Sequence, residues 1–92
     1  MNKEQILKKL GSFESVEELQ KNQFVVKFEK GQIFQSYKSI VAVTFYNFEK
    51  YFLGSAWSYS RTTGKYRNIF LNNTKEDVLK DIKNKKAIVL NI

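Results

Sequence analysis

The sequence predicts one α+β domain, in which an antiparallel sheet of three or four strands carries a central helix on one face. Apolar residues alternate with a period of two between residues 24 and 57, a pattern typical of half-buried strands. Helix-capping signals and apolar stripes with helical spacing occur before and after that region. A chain of 92 residues is long enough for one hydrophobic core. We therefore expect residues 1–92 to form a single domain.

The N-terminal part predicts helical structure. Residues 2–10 are typical of a short amphipathic helix, and Gly11 is a suitable C-terminal stop. Three apolar side chains share one face of this helix: Ile6, Leu7 and Leu10. Ser15 followed by Glu18 fits a capping box, which predicts a further helical turn over residues 16–21. The apolar face of the helix could bind a partner, although packing against the sheet is the commoner use of such a face.

Strand signals follow one another with short connections. The predicted strands span residues 24–29, 33–38, 40–46 and 51–57. Lys30-Gly31 marks the turn of a hairpin, and Gly54 inside the fourth strand indicates a bulge or a close approach of backbones. Because successive strands with short connections pair antiparallel, the pattern predicts a meander.

Residues 57–71 hold the only tryptophan and both arginines of the chain, and we interpret them as a strand end that leads into a helix. The hydroxyl of Ser60 can cap that helix. The predicted buried side comprises Thr62, Thr63, Tyr66, Ile69 and Phe70. The predicted exposed side comprises Arg61, Lys65 and Asn68, with Arg67 at its flank. The helix thus separates an apolar side from a basic one.

Another helix and a final strand are predicted after Asn72-Asn73. Thr74 followed by Asp77 resembles a capping box, with Asp in place of Glu. The apolar stripe of this helix is formed by Val78, Leu79 and Ile82, and the lysines near its end are Lys83, Lys85 and Lys86. Cations there suit the negative pole of the helix dipole. Residues 87–92 are apolar and predict a strand at the sheet edge.

Composition excludes several kinds of chemistry. The chain contains neither Cys nor His, which removes disulfides, thiolate metal sites and the imidazole bases that activate nucleophiles. Asp77 and Asp81 have the spacing of a shared metal site, but a solvated helix face is the commoner use. We expect no enzymatic activity and no cofactor. Without an 18-residue apolar run or a signal-peptide pattern, we expect a soluble, cytoplasmic protein without a membrane partner.

The net charge of +7 is concentrated in the middle of the chain, where residues 30–73 carry six basic side chains and one acidic one. Such an excess favours nucleic acid or an acidic protein surface as the partner; the alternative is that the lysines only keep the protein soluble. The predicted contact residues are Arg61, Lys65, Arg67 and Lys38. Aromatic residues would add stacking platforms for bases if they lie on an exposed sheet face, and the candidates are Tyr37, Tyr46, Tyr51, Tyr59 and Trp57.

A resemblance to a known family adds an expectation about function. Ser36-Tyr37, residues 40–42, residues 57–66 and Phe70-Leu71 resemble a widespread family of small proteins encoded by phages and plasmids of low-GC Gram-positive bacteria. That family has the pattern W-D-Y-S-x-T-T-x-K-[HY], from which Ser58 departs because the family has Asp there.

The resemblance covers about residues 23–92 and implies a counter-defence role in the host bacterial cell, such as inhibition of a nucleic-acid-guided nuclease by an anti-CRISPR-type protein. The partner would then be the host nuclease or its guide-RNA complex. The alternative is a phage DNA- or RNA-binding protein without catalytic activity.

Overall fold

The computed structural model describes all 92 residues and contains three helices and six strands. The elements are α1 Lys3–Leu10, β1 Phe13–Gln20, β2 Gln23–Phe28, β3 Gly31–Ser36, β4 Ser39–Phe45, β5 Tyr51–Leu53, α2 Arg61–Leu71, α3 Lys75–Lys83 and β6 Ala87–Val89. All strands belong to one sheet in chain order, with antiparallel pairs except for the parallel pair β5–β6. The α+β class is confirmed, but the sheet is six-stranded and mixed, not a three- or four-stranded antiparallel one.

The first helix is confirmed and its cap is complete. The side chain of Asn2 accepts a hydrogen bond from the backbone N–H of Gln5 at 2.9 Å, and the Gln5 side chain accepts one from the Asn2 N–H at 2.8 Å. Gly11 ends the helix with a φ of 81°, in the left-handed range that favours glycine. Ile6 and Leu10 are completely buried, so the apolar face of α1 packs on the sheet.

The helical turn predicted over residues 16–21 is wrong, because residues 13–20 form strand β1 at the edge of the sheet. Ser15 and Glu18 have the spacing of a capping box, and this spacing suggested a helix start. In the structure both residues lie inside the strand, where they pair with Lys27 and Phe24 of β2, so neither caps a helix. A register shift between Phe13 and Ser15 also interrupts the two-residue alternation that would have marked the strand.

The sheet lies between two helical layers. Helices α2 and α3 cover one face over a cluster formed by Phe34, Val41, Ala42, Tyr51, Leu53, Val78 and Ala87. Helix α1 covers the other face, where its residues Ile6 and Leu10 form a cluster with the sheet residues Ile33, Ile40, Val43 and Phe52. In β4, Ile40 and Val43 belong to one cluster and Val41 and Ala42 to the other. A register shift in the pairing with β3, between Phe34 and Gln35, interrupts the alternation of faces at Val41. Because β4 fills both clusters, residues 40–43 are all apolar.

The fourth predicted strand ends earlier than expected. Strand β5 covers only Tyr51–Leu53, and the chain then turns away from the sheet over residues 54–59. The close backbone approach predicted at Gly54 is confirmed, since a Cβ atom there would overlap the carbonyl oxygen of Ile40 in β4. Glycine is thus required where the chain leaves the sheet.

The C-terminal helix and the edge strand are both present. Thr74 caps α3 by accepting a hydrogen bond from the Asp77 N–H at 3.1 Å, and the Asp77 carboxylate accepts one from the Thr74 N–H at 3.0 Å. These hydrogen bonds to Thr74 hold the pKa of Asp77 below its ordinary value. Helices α2 and α3 form the long crossover that a parallel pair of strands requires, which brings β6 alongside β5. No helix combines the length and the hydropathy needed to cross a membrane.

Candidate functional site

Helix α2 is rotated relative to the orientation that the sequence predicted. Its buried residues are Thr63 and Arg67, with Tyr66 and Phe70 half-buried beside them. Ile69, predicted to be buried, is 59% exposed, whereas Arg67, predicted at the exposed flank, is only 2% exposed. The stripe that faces the sheet follows the i, i+4 pairs 63–67 and 66–70, and residue 69 lies about 100° away from residue 70 around the helix.

The guanidinium of Arg67 is held in place by the turn that precedes its own helix. Nη1 donates a hydrogen bond to the backbone carbonyl of Trp57 at 2.6 Å, and Nη2 donates one to Oδ1 of Asn68 at 2.9 Å. The guanidinium carbon lies 5.3 Å from the centroid of the indole ring of Trp57, a cation–π distance. Trp57, predicted at a strand end, therefore serves to position a buried cation.

The charge of Arg67 is not neutralised by a carboxylate. Its two hydrogen bonds go to a carbonyl and an amide, and Nε is buried without a partner. Burial lowers the pKa of the guanidinium, which nevertheless stays charged because an arginine titrates far above neutral pH. Asp81 instead accepts a hydrogen bond of 2.6 Å from the hydroxyl of Tyr51, and burial together with this bond raises the pKa of Tyr51. A buried cation without an anion is an unusual and costly feature.

Arg67 lines a pocket of about 410 Å³ at the start of α2, which we call the basic pocket. Its cationic residues are Arg61, Lys65, Arg67 and Lys75. Its hydroxyl-bearing residues are Ser58, Tyr59 and Ser60, and Gly64 and Asn68 complete the lining. No Asp or Glu lines it. Such a lining suits an anionic group, and α2 adds the positive end of its dipole.

Three of the four predicted contact residues meet in the basic pocket, and the fourth does not. Lys38 is exposed in the turn between β3 and β4 and does not line the pocket. That turn lies at the same end of the sheet, because Ser36 Oγ and Thr63 Oγ1 form a buried hydrogen bond of 3.0 Å. Through this bond the two separated motif segments, at residues 36–37 and 57–66, meet in space.

Ser60 caps α2 as the sequence predicted. Its Oγ accepts a hydrogen bond from the Thr63 N–H at 3.1 Å and donates one to Thr63 Oγ1 at 3.1 Å. We expect Ser60→Ala to lower the free energy of unfolding by about 1 kcal/mol. Ser58→Ala is the matched control, because Ser58 is exposed and lies two residues before Ser60, outside the helix. Its substitution should leave the free energy of unfolding unchanged. Urea denaturation measures both; equal midpoints for the two variants would show that the cap contributes nothing.

Lys75 and Gly64 line the basic pocket but were not among the predicted contact residues. Lys75 reaches it because Asn72 adopts a left-handed conformation, with a φ of 55°, and turns the chain into α3. The cap at Thr74 is visible in the sequence, but the direction that α3 takes is not. Gly64 lies over the guanidinium of Arg67, and nothing in the sequence distinguishes it from an ordinary helix-weakening glycine.

Most of the aromatic residues predicted as stacking platforms do not line the basic pocket. Tyr51 is buried, and Tyr37 and Tyr46 are exposed away from the basic pocket; Tyr59, which is 78% exposed, lies at its edge. A second pocket of about 450 Å³ lies on the α1 side and is lined mainly by apolar residues such as Phe45 and Phe48. No group of three or more acidic, His or Cys side chains is arranged to hold a metal ion.

Comparison with curated proteins and with solved structures gives no match. A family model does match, over residues 1–88, and therefore includes every element from α1 to α3 and the start of β6. The family carries no functional description. The chain belongs to DUF8033, a family of unknown function.

Proposed function

We propose that this chain is a non-enzymatic protein that binds the phosphates of nucleic acid through the basic pocket. The observation that carries the proposal is the convergence of Arg61, Lys65, Arg67 and Lys75 on one pocket that contains no carboxylate. Like charges are costly to bring together, so a surface of this kind is typical of a site whose ligand supplies the negative charge.

Phosphate fits these donors better than a carboxylate-bearing protein surface does. Two arginines offer planar, bidentate donor pairs that match phosphate oxygens. The N–H groups of the first turn of α2 add donors and the positive end of a dipole, a combination that favours phosphate.

The lining of the pocket also supports binding without catalysis. It contains no His, Cys, Asp or Glu that could act as a general base. The hydroxyl of Ser60 is engaged in the cap of α2, so it is not a free nucleophile. The side chains present can hold and orient an anion but have no partner to activate a hydroxyl group.

The role that we propose for this binding is inhibition of a host nucleic-acid-guided nuclease, with the pocket contacting the guide RNA or a displaced strand. The resemblance of residues 36–71 to small phage and plasmid proteins supports this role. The alternative is a phage DNA- or RNA-binding protein that acts on free nucleic acid. Both use the same pocket, and they differ in the partner that presents the phosphates.

A charge-reversed variant tests the pocket in both settings. We expect Arg61→Glu with Lys65→Glu to lose affinity for short RNA and DNA, and to reduce the slope of log affinity against log salt by about 0.7–0.9 for each phosphate contact removed. If the protein is an inhibitor, the wild type should instead co-purify with the nuclease complex from host lysate, and the variant should not.

The control is Lys3→Glu with Lys21→Glu, which changes the net charge equally at exposed positions outside the pocket. This variant should retain the binding of the wild type apart from a small nonspecific loss. If both double variants lose binding to the same extent, net charge alone governs binding; if both bind like the wild type, neither pair of cations is needed. Either result means that the basic pocket is not the site.

A further inference from the structure

We propose that the basic pocket receives a phosphate monoester, the phosphate group at the end of a nucleic-acid strand or on a nucleotide, in preference to an internal phosphodiester. This inference rests on the proposed function, because it concerns the ligand of the same site. Two observations carry it: the depth of Arg67 and the absence of a side chain at Gly64.

The depth of Arg67 limits which phosphates can reach it. The residue lines the pocket but is only 2% exposed, whereas Arg61 and Lys65 are exposed. An internal phosphate carries a sugar on both sides and passes over a rim as part of a continuous backbone. A terminal phosphate carries one sugar and can enter a pocket. A pocket of about 410 Å³ has room for that phosphate with part of its nucleoside.

Charge also favours the monoester. Arg67 has five N–H donors: two make hydrogen bonds within the protein and the Nε–H is buried, which leaves one donor on each Nη nitrogen. A terminal phosphate carries a charge of about −1.5 to −2 at neutral pH, as phosphoserine does, and offers three acceptor oxygens. A phosphodiester carries a single charge. A monoester therefore supplies more of the negative charge that the buried Arg67 lacks within the protein.

At residue 64 no side chain fills the space beside the guanidinium of Arg67. A Cβ atom at residue 64 would lie 3.7 Å from Nη2, 3.8 Å from Nη1 and 4.0 Å from Cζ of Arg67. These are ordinary contact distances, and the residue is helical, so the backbone does not require glycine here. Glycine inside a helix is destabilising relative to alanine. The position therefore forgoes stability, and the space beside the guanidinium that a methyl group would fill stays empty.

Tyr59 supplies the remaining element of such a site. Its ring lies at the edge of the pocket and is 78% exposed. An aromatic ring beside a phosphate site can stack on the base of the nucleotide whose phosphate is bound. Stacking of this kind tolerates any base, so we expect recognition of a phosphorylated end without sequence preference.

The experiment compares one fluorescent oligonucleotide sequence with a 5′-phosphate, a 3′-phosphate, hydroxyl groups at both ends, or a circular backbone. We expect the wild type to bind one phosphorylated form about tenfold to a hundredfold more tightly than the hydroxyl and circular forms, as for hydrogen bonds to charged groups. A mononucleotide should compete, and inorganic phosphate should compete more weakly. The comparison of 5′ and 3′ forms identifies which end is bound.

Gly64→Ala is the decisive variant because its effects on folding and on binding have opposite signs. The new methyl group should raise the melting temperature by roughly 3–8 °C, while covering the guanidinium and removing the preference for the phosphorylated end. Loss of the preference therefore cannot result from unfolding. Thr62→Ala is the matched control, since it lies exposed on the same helix outside the pocket and should keep the preference.

The outcomes separate this inference from the proposed function. If all four oligonucleotides bind equally and all lose affinity in the Arg61→Glu, Lys65→Glu variant, the pocket binds internal phosphates and only the inference is wrong. If Gly64→Ala is more stable than the wild type and keeps the preference, the phosphate does not reach Arg67 through the space beside Gly64, and that part of the inference is wrong. Binding of no oligonucleotide contradicts the inference, and the co-purification experiment then decides the proposed function alone.

Discussion

Gly54→Ala is expected to prevent stable folding. The added methyl group would overlap the carbonyl oxygen of Ile40, and this oxygen belongs to the backbone of β4, which cannot move without breaking the centre of the sheet. The N–H of Gly54 also donates a hydrogen bond to the Val41 carbonyl at 2.9 Å, which holds the two strands close together at this point. We expect a cost of about 3 kcal/mol or more, a large part of the stability of a small domain. Urea denaturation followed by circular dichroism measures it.

The chain offers a matched control for this variant. Gly64→Ala adds the same methyl group, but at ordinary contact distances inside a helix, and should stabilise the protein by about 0.5–1 kcal/mol. The two substitutions should therefore move the denaturation midpoint in opposite directions. A Gly54→Ala protein as stable as the wild type would mean that β4 and β5 do not approach each other as the structure shows.

Phe34→Ala is expected to cause the largest loss among the side-chain truncations. Phe34 is completely buried in the cluster beneath α2, and its ring stacks on Phe70 at a centroid distance of 5.9 Å. Truncation removes the buried surface and leaves a cavity between the sheet and the helix, which we expect to cost about 3–5 kcal/mol. Phe70 is only half-buried, so Phe70→Ala should cost less, about 2 kcal/mol.

Ile69→Ala provides the control and tests the rotation of α2. The sequence pattern places Ile69 on the buried side of the helix, whereas the structure exposes 59% of it. Its truncation should therefore change the free energy of unfolding by less than about 0.5 kcal/mol. A cost for Ile69→Ala comparable to that of Phe34→Ala would show that the sequence pattern had the orientation of α2 right and that Arg67 is not buried.

Local signals in the chain were sufficient where the structure depends on neighbouring residues. The caps at Ser60 and Thr74 lie within four residues of the N–H groups that they satisfy, so their hydroxyls identify the helix starts directly. The alternation in β2 and the turn at Lys30-Gly31 predicted the hairpin of β2 and β3 for the same reason. Edge strand β1 was missed because Ser15 and Glu18 have the spacing of a capping box, a local signal that the tertiary structure overrides.

The residues that form the basic pocket could be predicted only in part from local signals. Arg61 and Lys65 are neighbours on one helix face, so the sequence could associate them. The sequence of α2 does not show that the stripe facing the sheet includes Arg67 instead of Ile69. Polar and apolar residues occur on both sides of that stripe, so the helical wheel allows more than one orientation. The choice is made by distant partners: the carbonyl of Trp57 binds Arg67, and the hydroxyl of Ser36 binds Thr63.

The sequence by itself determined the α+β class, the three helices, most of the strands and the basic character of the region around α2. Only the tertiary structure decided that Arg67 is buried without an anion, that Lys75 joins it and that Lys38 does not. The physical reason is that hydrogen bonding within a helix or hairpin depends on residues a few positions apart. The electrostatic environment of a side chain depends on every element that packs around it, and α2, α3 and the turn before α2 meet only when the crossover between β5 and β6 folds.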